Sequence, residues 1–414
     1  MMISRMLRRG MSTISGSSSI SGTTSKAKKG RVNFEEELKS KIKLTGPMSL
    51  SQFMQEVLGN PSKGYYTTKE KVLGAPGDFV TSPEISQMFG ECIGIWIVHE
   101  WKKMGKVQPL QLVELGPGHG TLMQDILRTV QKLTPEELKH FNVHLVETSP
   151  NLSKVQEARL CGYSHSKQDG VALSKQGVPV KWHSRVGEIP KGFTFFIANE
   201  FFDALPIHKF MRDTTSKNWQ EILVDLSPND NKLTLVKSKH KTLANQYIDD
   251  TFDHLQDSLE ISPKSAIVME TISERIVENG GAALIADYGY DSDQKDRDTF
   301  RAYKNHKQVD PLQDVGQCDL TADVDFDYLK KATGEHTLTY GPVSQSQFLS
   351  QLGIKVRCNL LKDHNPKIAD ELESSLDMLI NPEKMGARFK FFCVFPKTME
   401  TIHAKFPPAG FYNK

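Results

Sequence analysis

Short runs of apolar residues recur through the middle of the chain, and segments with helical spacing of apolar positions lie between them. The runs have the length of buried strands rather than of buried helices. They cover residues 110–115, 143–147, 178–182, 193–198 and 282–287. Strands that alternate with helices along a chain form parallel sheets. The pattern therefore predicts an α/β fold with an open, mostly parallel sheet.

The segment before the first of these strands is predicted to be helical. Residues 34–42 form a short helix in this prediction. Ser49 stands three residues before Gln52, the spacing of a capping box at a helix start. Ser82 is followed by a proline, the favoured first residue of a helix, so it is predicted to cap the next one. The apolar face from Ile85 to Val98 predicts that this is a single long helix.

Two segments interrupt the alternation of strands and helices. In the first, 212–265, residues 219–226 and 233–236 form a predicted hairpin, and a helical stretch follows to about residue 259. The second, 290–345, is polar and irregular. Structureless loops of that length are uncommon inside a compact domain, so the second segment is predicted to be functional or locally ordered.

A glycine-rich turn joins the first predicted strand to the helix that follows it. Glu114, Gly116, Gly118 and Gly120 stand at alternate positions, and helical spacing resumes at Thr121. Glycines let a backbone approach a ligand closely, and a helix N-terminus offers free N–H groups. The dinucleotide fingerprint G-x-G-x-x-G needs its third glycine where Thr121 stands. The spacing instead resembles motif I of class I S-adenosylmethionine (SAM) methyltransferases; the alternative is an ordinary tight turn.

Acidic and amide side chains follow other strands at the same predicted edge of the sheet. Glu147 ends the second strand, where an acidic residue accepts hydrogen bonds from ribose hydroxyls in folds of this type; the alternative is a surface acid. Asn199, Glu200 and Asp203 follow the fourth strand. Ligands bind beyond the carboxyl ends of parallel strands, so these side chains are expected in the crevice of the glycine turn. Asp78, among glycine and proline residues, predicts a further ligand-facing loop.

The composition is that of an ordinary globular protein, with 38% hydrophobic and 25% charged residues in a chain of 414. No apolar run reaches the roughly 18 residues of a membrane span. The five cysteines are widely separated, with no Cys-x-x-Cys pair or Cys/His cluster. We therefore expect no disulfide framework and no metal site, and most cysteines are expected to be buried.

The net charge of +2 is unevenly distributed along the chain. Residues 1–31 carry seven Lys and Arg and no acid, which leaves −5 for the remainder. The folded part thus lacks the basic footprint of a general nucleic-acid binder. The leader alternates basic and apolar residues and is then rich in Ser, Thr and Gly. This composition is typical of a mitochondrial transit peptide; the alternative is a basic tail without a targeting role.

Several longer motifs together resemble one protein family. They are GAPGDFVTSPEISQMFGE at 74–91, VELGPGHGT at 113–121, NEFFDALP at 199–206, DYG at 287–289 and DLTADVDF at 319–326. The first and third are specific to the MidA-like family of mitochondrial proteins, the complex I assembly factor 7 group, whose members are described as protein arginine methyltransferases. The second occurs in SAM-dependent enzymes generally. The resemblance covers roughly residues 44–395.

This resemblance implies a Rossmann-like class I SAM-dependent methyltransferase sheet with an N-terminal helical extension and insertions. It implies a mitochondrial matrix enzyme that uses SAM to methylate an arginine on a core subunit of respiratory complex I, which permits its assembly. The expected cofactor-binding residues are Glu114, Gly116, Gly118, Gly120, Glu147, Asp78 and Asn199. Glu200 and Asp203 are the candidate catalytic residues, because carboxylates bind the protonated guanidinium fork of arginine. The paired-glutamate hairpin of ordinary arginine methyltransferases is not seen, so substrate binding is left open.

Two other functions stay open on the sequence alone. A non-catalytic assembly chaperone could retain the methyltransferase fold and bind its client through the segment 290–345. An NAD-dependent oxidoreductase is disfavoured by Thr121 in place of the third glycine. The expected partner is a protein substrate, without nucleic acid or a membrane span, and a homodimer is one option for the oligomeric state.

The predicted organisation completes the sheet with two late strands, 355–361 and 388–395, as an antiparallel edge pair. The predicted divisions are a transit peptide (1–31), an N-terminal helical region (32–108), a first part of the methyltransferase core (109–211), an insertion (212–265), a second part of the core (266–396) with its irregular insertion (290–345), and a C-terminal tail (397–414).

Overall fold

The computed structural model describes residues 33–68, 80–162, 170–248, 257–290 and 298–412. The predicted transit peptide and Asp78 lie outside the described residues. The chain from Phe34 to Lys414 forms one compact unit. All five cysteines are buried, as the sequence predicts for most of them. Among the described residues, none of the helices combines the length and the apolar character needed to cross a membrane.

The described residues fold into α-helices and β-strands, which are numbered in chain order. The helices are α1 (Phe34–Thr45), α2 (Leu50–Gly59), α3 (Tyr65–Thr68), α4 (Ser82–Ile85), α5 (Gln87–Lys103), α6 (Thr121–Leu133), α7 (Pro150–Leu160), α8 (Pro263–Asn279), α9 (Phe326–Ala332), α10 (Gln345–Gln351), α11 (Ile354–His364), α12 (Ala369–Ile380) and α13 (Glu400–Lys405). The strands are β1 (Met48–Ser49), β2 (Leu110–Leu115), β3 (Phe141–Val146), β4 (Val171–Leu173), β5 (Pro179–His183), β6 (Thr194–Asn199), β7 (His208–Arg212), β8 (Trp219–Leu226), β9 (Leu233–Lys237), β10 (Ser258–Ile261), β11 (Gly281–Tyr290), β12 (Arg301–Lys304), β13 (Lys307–Val309), β14 (Asp319–Thr321), β15 (Val324–Asp325), β16 (Thr337–Ser344) and β17 (Phe389–Pro396).

The central sheet has the strand order β16-β17-β11-β6-β2-β3-β5-β4, and β15 pairs with the end of β11. The five inner strands from β11 to β5 are parallel to one another. β17 runs antiparallel to both β11 and β16. The predicted open, mostly parallel sheet is therefore confirmed. The strand order reverses at β2, which places a topological switch point between β2 and β6.

Helices cover both faces of this sheet, which explains why its strands are continuous apolar runs. All six residues of β2 are buried. Successive side chains of a strand point to opposite faces. Leu112 packs in the cluster with Trp96 of α5 and Ile126 of α6. Val113 packs in a second cluster with Met269 of α8. The two faces of one short strand thus hold the two halves of the core together.

The interrupting segments supply strands to two further sheets, and the second segment also supplies β15 and β16 to the central sheet. One antiparallel sheet has the order β1-β8-β7-β10, with β9 on β8, and another has the order β13-β12-β14. The predicted hairpin is confirmed as β8 and β9. Residues from α1, α2, β8 and the second of these sheets share a third hydrophobic cluster, which includes Phe34, Phe53, Val224 and Leu320. The capping box at Ser49 is also confirmed, and it starts α2 against this cluster.

The single long helix predicted after Ser82 is wrong, because Ser86 divides it. Thr81, rather than Ser82, precedes α4, and its side chain makes no cap hydrogen bond. Ser86 has extended backbone, and its hydroxyl accepts a hydrogen bond from the N–H of Met88 at 3.3 Å. A serine in this conformation satisfies an N–H of the next helix and so begins α5.

The strand predicted at 355–361 is also wrong, because this segment lies in α11. Ile354 and Cys358, four residues apart, are buried, whereas Val356 is 65% exposed. Side chains four apart share one face of a helix, so the core-facing positions follow helical spacing. The edge partner of β17 is instead β16, which lies inside the segment predicted to be irregular.

The helical stretch predicted up to about residue 259 is wrong at its end, where the chain forms a strand. Residues 249–256 lie outside the described residues. Leu259 lies in β10, whose residues are all buried. β10 pairs antiparallel with β7 along four residues. This pairing supplies hydrogen-bond partners for the backbone at one edge of β7. The need for such a partner comes from the tertiary structure, so the spacing of apolar residues within the segment does not reveal it.

Candidate functional site

A cavity of about 890 Å³ is lined by residues at the carboxyl ends of β2, β3 and β6. It includes the switch point between β2 and β6, where ligands bind in open α/β sheets. Residues of α2, of α8 and of the segment 184–188 complete its wall. Six of the predicted site residues line it: Glu114, Gly116, Gly118, Glu147, Asn199 and Glu200. Gly120 and Asp203 are absent from its lining, although each is next to residues that contribute to it.

The glycine turn adopts backbone that other residues rarely take. Gly116, Gly118 and Gly120 have φ values of +60°, +51° and +79°. A Cβ on Gly116 would stand 3.0 Å from a ring carbon of Phe201. Gly120 is the N-cap of α6. Glycine is therefore needed here both for left-handed backbone and for close approach, and the turn leaves its peptide groups facing the cavity.

Glu114 brings a buried carboxyl group to the cavity. The residue is 3% exposed, and its Oε2 has no hydrogen-bond partner among the described residues. Burial raises the pKa of Glu114 to about 8, against a lowering contribution from the backbone of Met123. A buried carboxyl without a partner favours the neutral form until a cation or donor reaches it. Glu114 is thus suited to a positively charged ligand.

Glu147 is held beside the glycine turn by a buried glutamine. Its Oε1 accepts a hydrogen bond from the N–H of Ser149 at 2.7 Å, and its Oε2 accepts one from Gln156 Nε2 at 3.0 Å. The same Nε2 donates to the carbonyl oxygen of Gly118 at 2.8 Å. Trp182 Nε1 donates to Gln156 Oε1 at 2.9 Å. One amide therefore joins the turn after β2 to the acid after β3.

Gln156 is a site residue that the sequence reasoning missed. It is fully buried in α7, four residues from both Leu152 and Leu160, which are buried too. The three residues share one helix face. A glutamine inside an apolar stripe is the signal that could have identified it, because a buried amide needs partners.

Glu200 stands at the end of β6 in left-handed backbone, with φ +50°. Its Oε1 accepts hydrogen bonds from the N–H of Ser82 at 3.0 Å and from Asn199 Nδ2 at 3.3 Å. Burial and, to a smaller extent, the nearby charge of Asp203 raise the pKa of Glu200 to about 8. A non-glycine residue in this conformation is held there by its surroundings, as is common at functional sites.

Asp203 lies in a buried cluster behind Glu200. Its Oδ2 accepts hydrogen bonds from the hydroxyl of Tyr288 and from Thr321 Oγ1, the second at 2.9 Å. Burial raises the pKa of Asp203 above its ordinary value. Asp287, which the sequence placed at the same edge without a role, accepts hydrogen bonds from the N–H groups of Phe201 and Phe202 at 3.1 and 3.0 Å. These bonds hold the chain as it leaves β6.

A further acid, Glu84, faces the glycine turn from α4. Its Oε1 accepts a hydrogen bond from the hydroxyl of Thr121 and lies 3.6 Å from His119 Nδ1. The hydrogen bond with His119 is the largest cause that lowers the pKa of Glu84. Thr121, which replaces the third glycine of the dinucleotide fingerprint, therefore has a partner of its own in this site.

The charged residues of the cavity wall are mostly acidic. They are Glu84, Glu114, Glu147, Glu188 and Glu200 against Arg185 and Lys264. Arg185 already pairs with Glu188, at 3.1 Å between Nε and Oε1. Burial keeps Glu114 and Glu200 largely neutral in the unliganded protein, and a cationic ligand would stabilise their ionised forms, so the cavity is suited to a ligand that carries positive charge.

Comparisons with known proteins show which family the chain resembles. A family model described as a putative S-adenosyl-L-methionine-dependent methyltransferase matches residues 92–343. The protein arginine methyltransferase NDUFAF7, mitochondrial, of Danio rerio is 46% identical over 368 residues, which cover 87% of this chain and 86% of the relative. The human protein of the same name is 43% identical over 86% of this chain and 82% of its own length. The Drosophila melanogaster homolog is 40% identical over 94% and 90%.

A solved structure has the same fold. A protein from Burkholderia thailandensis, with S-adenosyl-homocysteine bound, superposes with a TM-score of 0.70 and 21% identity, over 87% of this chain and 91% of the other.

Proposed function

The chain belongs to this family of SAM-dependent methyltransferases, and we propose that it methylates an arginine on a core subunit of mitochondrial complex I. SAM is its cofactor. The relatives are named as mitochondrial protein arginine methyltransferases. The basic, acid-free leader at 1–31 supports a matrix location for this chain. The observation that carries the proposal is a predominantly acidic cavity that contains Glu200, whose pKa is raised to about 8.

The residues around the glycine turn fit SAM, which supplies an electrophilic methyl group on a positively charged sulfur. Gly116 and Gly118 allow close backbone approach. Glu114 has an unpartnered buried oxygen among the described residues, which suits the cationic methionine part. Glu147 stands where ribose hydroxyls are bound in related folds. Asn199 Oδ1 is also buried without a partner among the described residues and can accept a hydrogen bond.

Glu200 is proposed to bind the arginine and to accept its proton. A guanidinium has a pKa above about 12 and stays protonated until methyl transfer makes a proton leave. A carboxylate aligns the guanidinium fork by charge-assisted hydrogen bonds. The raised pKa of Glu200 makes it a better proton acceptor near neutral pH than an ordinary glutamate. Positioning of this kind can lower a barrier by roughly 7–11 kcal/mol without a covalent intermediate.

Asp203 is proposed to act through Glu200 rather than on the arginine. It does not line the cavity. Its negative charge contributes to the raised pKa of Glu200. Its Oδ2 accepts hydrogen bonds from Tyr288 and Thr321, which hold it in the cluster behind the strand end. Asp203 is therefore a positioning residue in this proposal.

The test is methyl transfer from labelled SAM to mitochondrial proteins, with identification of the labelled residue. We expect one arginine of a complex I core subunit to carry the label. Glu200→Gln should bind SAM with near-normal affinity and lose about a hundredfold or more in transfer. Glu274→Gln is the matched control, since Glu274 is an exposed acid on α8 outside the cavity wall. If no complex I subunit carries the label, the proposed substrate is refuted. Normal transfer by Glu200→Gln would refute the proposed role of Glu200.

A further inference from the structure

One wall of the cavity is built outside the central sheet. It includes Met54 and Leu58 of α2, Tyr66 of α3 and Ala204, and we call these four residues the α2–α3 wall; Gln55, Gly59 and Thr67 line the cavity beside them. All four belong to, or pack on, the hydrophobic cluster formed by α1, α2 and the two smaller sheets. The glycine turn instead leaves a strand whose residues pack in the two clusters of the central sheet. The cavity thus has walls from two separate parts of the core.

Tyr66 presents an aromatic ring in this wall, and the protein holds that ring in place. The hydroxyl of Tyr66 donates a hydrogen bond to Asp319 Oδ1 at 2.7 Å. Tyr65 packs edge-on against the ring, with centroids 5.1 Å apart and an interplanar angle of 80°. Burial, followed by the charges of Asp319 and Asp203, raises the pKa of Tyr66, so the phenol stays neutral. With its hydroxyl occupied, Tyr66 offers the cavity mainly its ring.

The remainder of the α2–α3 wall is apolar. Leu58 is 5% exposed at the cavity, whereas Met54, also at its wall, has no exposed surface. The cavity volume of about 890 Å³ lies near the upper end of the ~300–1,000 Å³ found for small-molecule pockets. There is therefore room for a second group beside a cofactor on the strand ends. An apolar wall selects for apolar surface, because transfer of such surface from water is favourable.

Resting on the proposed arginine methylation, we propose that the α2–α3 wall is the acceptor subsite, which takes an arginine flanked by aliphatic residues. The guanidinium stacks on the ring of Tyr66, as guanidinium groups do on aromatic faces. Glu200 binds its N–H groups at the edge. Leu58 contacts the aliphatic neighbour of the arginine in the substrate. The substrate class is accordingly an aliphatic-flanked arginine, rather than an arginine among small polar residues.

Two observations support the combination of Tyr66 and Glu200 in one subsite. Tyr66 and Glu200 line the same cavity, and the charge of Asp203 contributes to the raised pKa of each, so both groups have this buried acid as a neighbour. Ala204, which lines the cavity, directly follows Asp203 in the chain. A planar guanidinium between Tyr66 and Glu200 can stack its face on the aromatic ring and donate the N–H groups at its edge to the carboxylate.

The experiment compares short peptides that contain a single arginine and differ only in its neighbours, leucine in one and serine in the other. Each carries a fluorophore, and binding is measured by anisotropy on the full-length enzyme saturated with S-adenosylhomocysteine. We expect the leucine-flanked peptide to bind about tenfold more tightly, as burial of one aliphatic side chain allows. Equal affinities, or binding of neither peptide, would overturn the apolar part of the subsite.

Variants of the wall separate the ring from the hydroxyl. Tyr66→Leu should weaken binding of the leucine-flanked peptide about tenfold, whereas Tyr66→Phe should stay within about twofold of the wild type. Leu58→Thr should remove the preference for leucine without loss of S-adenosylhomocysteine binding, which serves as the folding control. Unchanged peptide binding by Tyr66→Leu, or an equal loss in Tyr66→Phe, would overturn the role of the ring.

The same peptides distinguish this subsite from the proposed reaction. Methyl transfer from labelled SAM to the leucine-flanked arginine, and not to its lysine counterpart, supports both. Selective binding without any transfer would keep the subsite and refute arginine methylation. Transfer to the leucine-flanked and the serine-flanked arginine peptides with equal KM would keep the reaction and refute the subsite.

Discussion

The turn after β2 and the chain segment after β6 both begin at the end of a buried parallel strand, yet they are held in different ways. The first takes its conformation mainly from neighbours in sequence, since Gly120 N–H donates to the carbonyl of Pro117 at 2.7 Å and all three glycines are left-handed, and Gln156 supports it from 38 positions away. The second depends on partners 85 to 118 positions away, which are Ser82, Asp287, Tyr288 and Thr321. The conformation of the proposed cofactor side is thus encoded mainly by local sequence, and the proposed acceptor side is assembled by the fold.

This difference predicts different consequences of mutation on the two sides. A change in the glycine turn alters the surface offered to the cofactor and leaves the packing of the other elements intact. A change after β6 disturbs contacts between the central sheet and the segment that contains β14, since Asp203 also accepts from Ala322 N–H through its carbonyl at 3.0 Å. The affinity for SAM should therefore respond differently to substitutions on the two sides.

The largest effect is expected from Gly118→Val. A β-branched residue at φ +51° is strained, and its side chain would occupy space at the cavity wall. We expect the Kd for SAM to rise by about a hundredfold or more, measured by calorimetry. Gly177→Val is the control, because Gly177 has φ +78° and none of the described residues has an atom within 4 Å of an added Cβ.

Two outcomes of this substitution would change the interpretation. Normal SAM binding by Gly118→Val would refute the assignment of the glycine turn to the cofactor. Loss of SAM binding together with full restoration of complex I in cells would favour the chaperone alternative, because assembly would then not need the methyl donor.

The pH dependence of SAM binding tests Glu114. Its pKa in the unliganded fold is raised to about 8, and a cationic ligand stabilises the ionised form. Binding therefore releases a proton, and affinity should rise with pH up to about 8, by as much as about tenfold per unit. Glu114→Gln should reduce this slope, and the difference between the two proteins cancels the titration of SAM itself. An identical slope in both would exclude Glu114 as the titrating group.

The raised pKa of Glu114 also makes the stability of the folded protein depend on pH. A carboxyl whose pKa is higher in the folded than in the unfolded state contributes stability below its unfolded value. That contribution is lost as pH rises from the ordinary value of 4.5 through about 8. In urea denaturation, the unliganded wild type should therefore lose stability over this range relative to Glu114→Gln, and SAM should restore part of it.

A smaller effect is expected from Gln156→Leu. The substitution removes the hydrogen bonds to Gly118, Glu147 and Trp182. At roughly 0.5–1.5 kcal/mol for each bond, the Kd for SAM should rise about tenfold, with kcat less affected. Trp182→Phe removes one of these bonds and should raise the Kd about threefold or less. Equal affinities for Gln156→Leu and the wild type would show that the turn does not need this support.

The smallest effect on SAM affinity is expected from Asp203→Asn. Asp203 does not line the cavity, so the Kd for SAM should stay within about twofold of the wild type. Removal of its charge lowers the pKa of Glu200, and the pH profile of methyl transfer should move to lower pH. A loss of SAM affinity as large as that of Gln156→Leu would place Asp203 in the cofactor site and weaken the division between the two sides.

The sequence predicted the central elements well where local pattern and burial agree. β2 was predicted with its observed bounds, because a parallel strand buried on both faces is a continuous apolar run. The hairpin of β8 and β9 and the capping box at Ser49 were also predicted, since turn and cap chemistry act over a few residues. The strand predicted at 355–361 failed because a short apolar segment can satisfy either strand or helix spacing.

What the sequence by itself determined is the chemistry of the cavity: the glycine turn, and the acids and amide at the strand ends, which are contiguous motifs on a parallel sheet. Only the tertiary structure decided how these groups are used. It buried Glu114 and Glu200 enough to raise both pKa values to about 8, and it placed Gln156 between two strand ends. It also brought Tyr66 from the N-terminal helices to line the same cavity. Desolvation and long-range hydrogen bonds depend on what packs around a residue, and no local pattern records that.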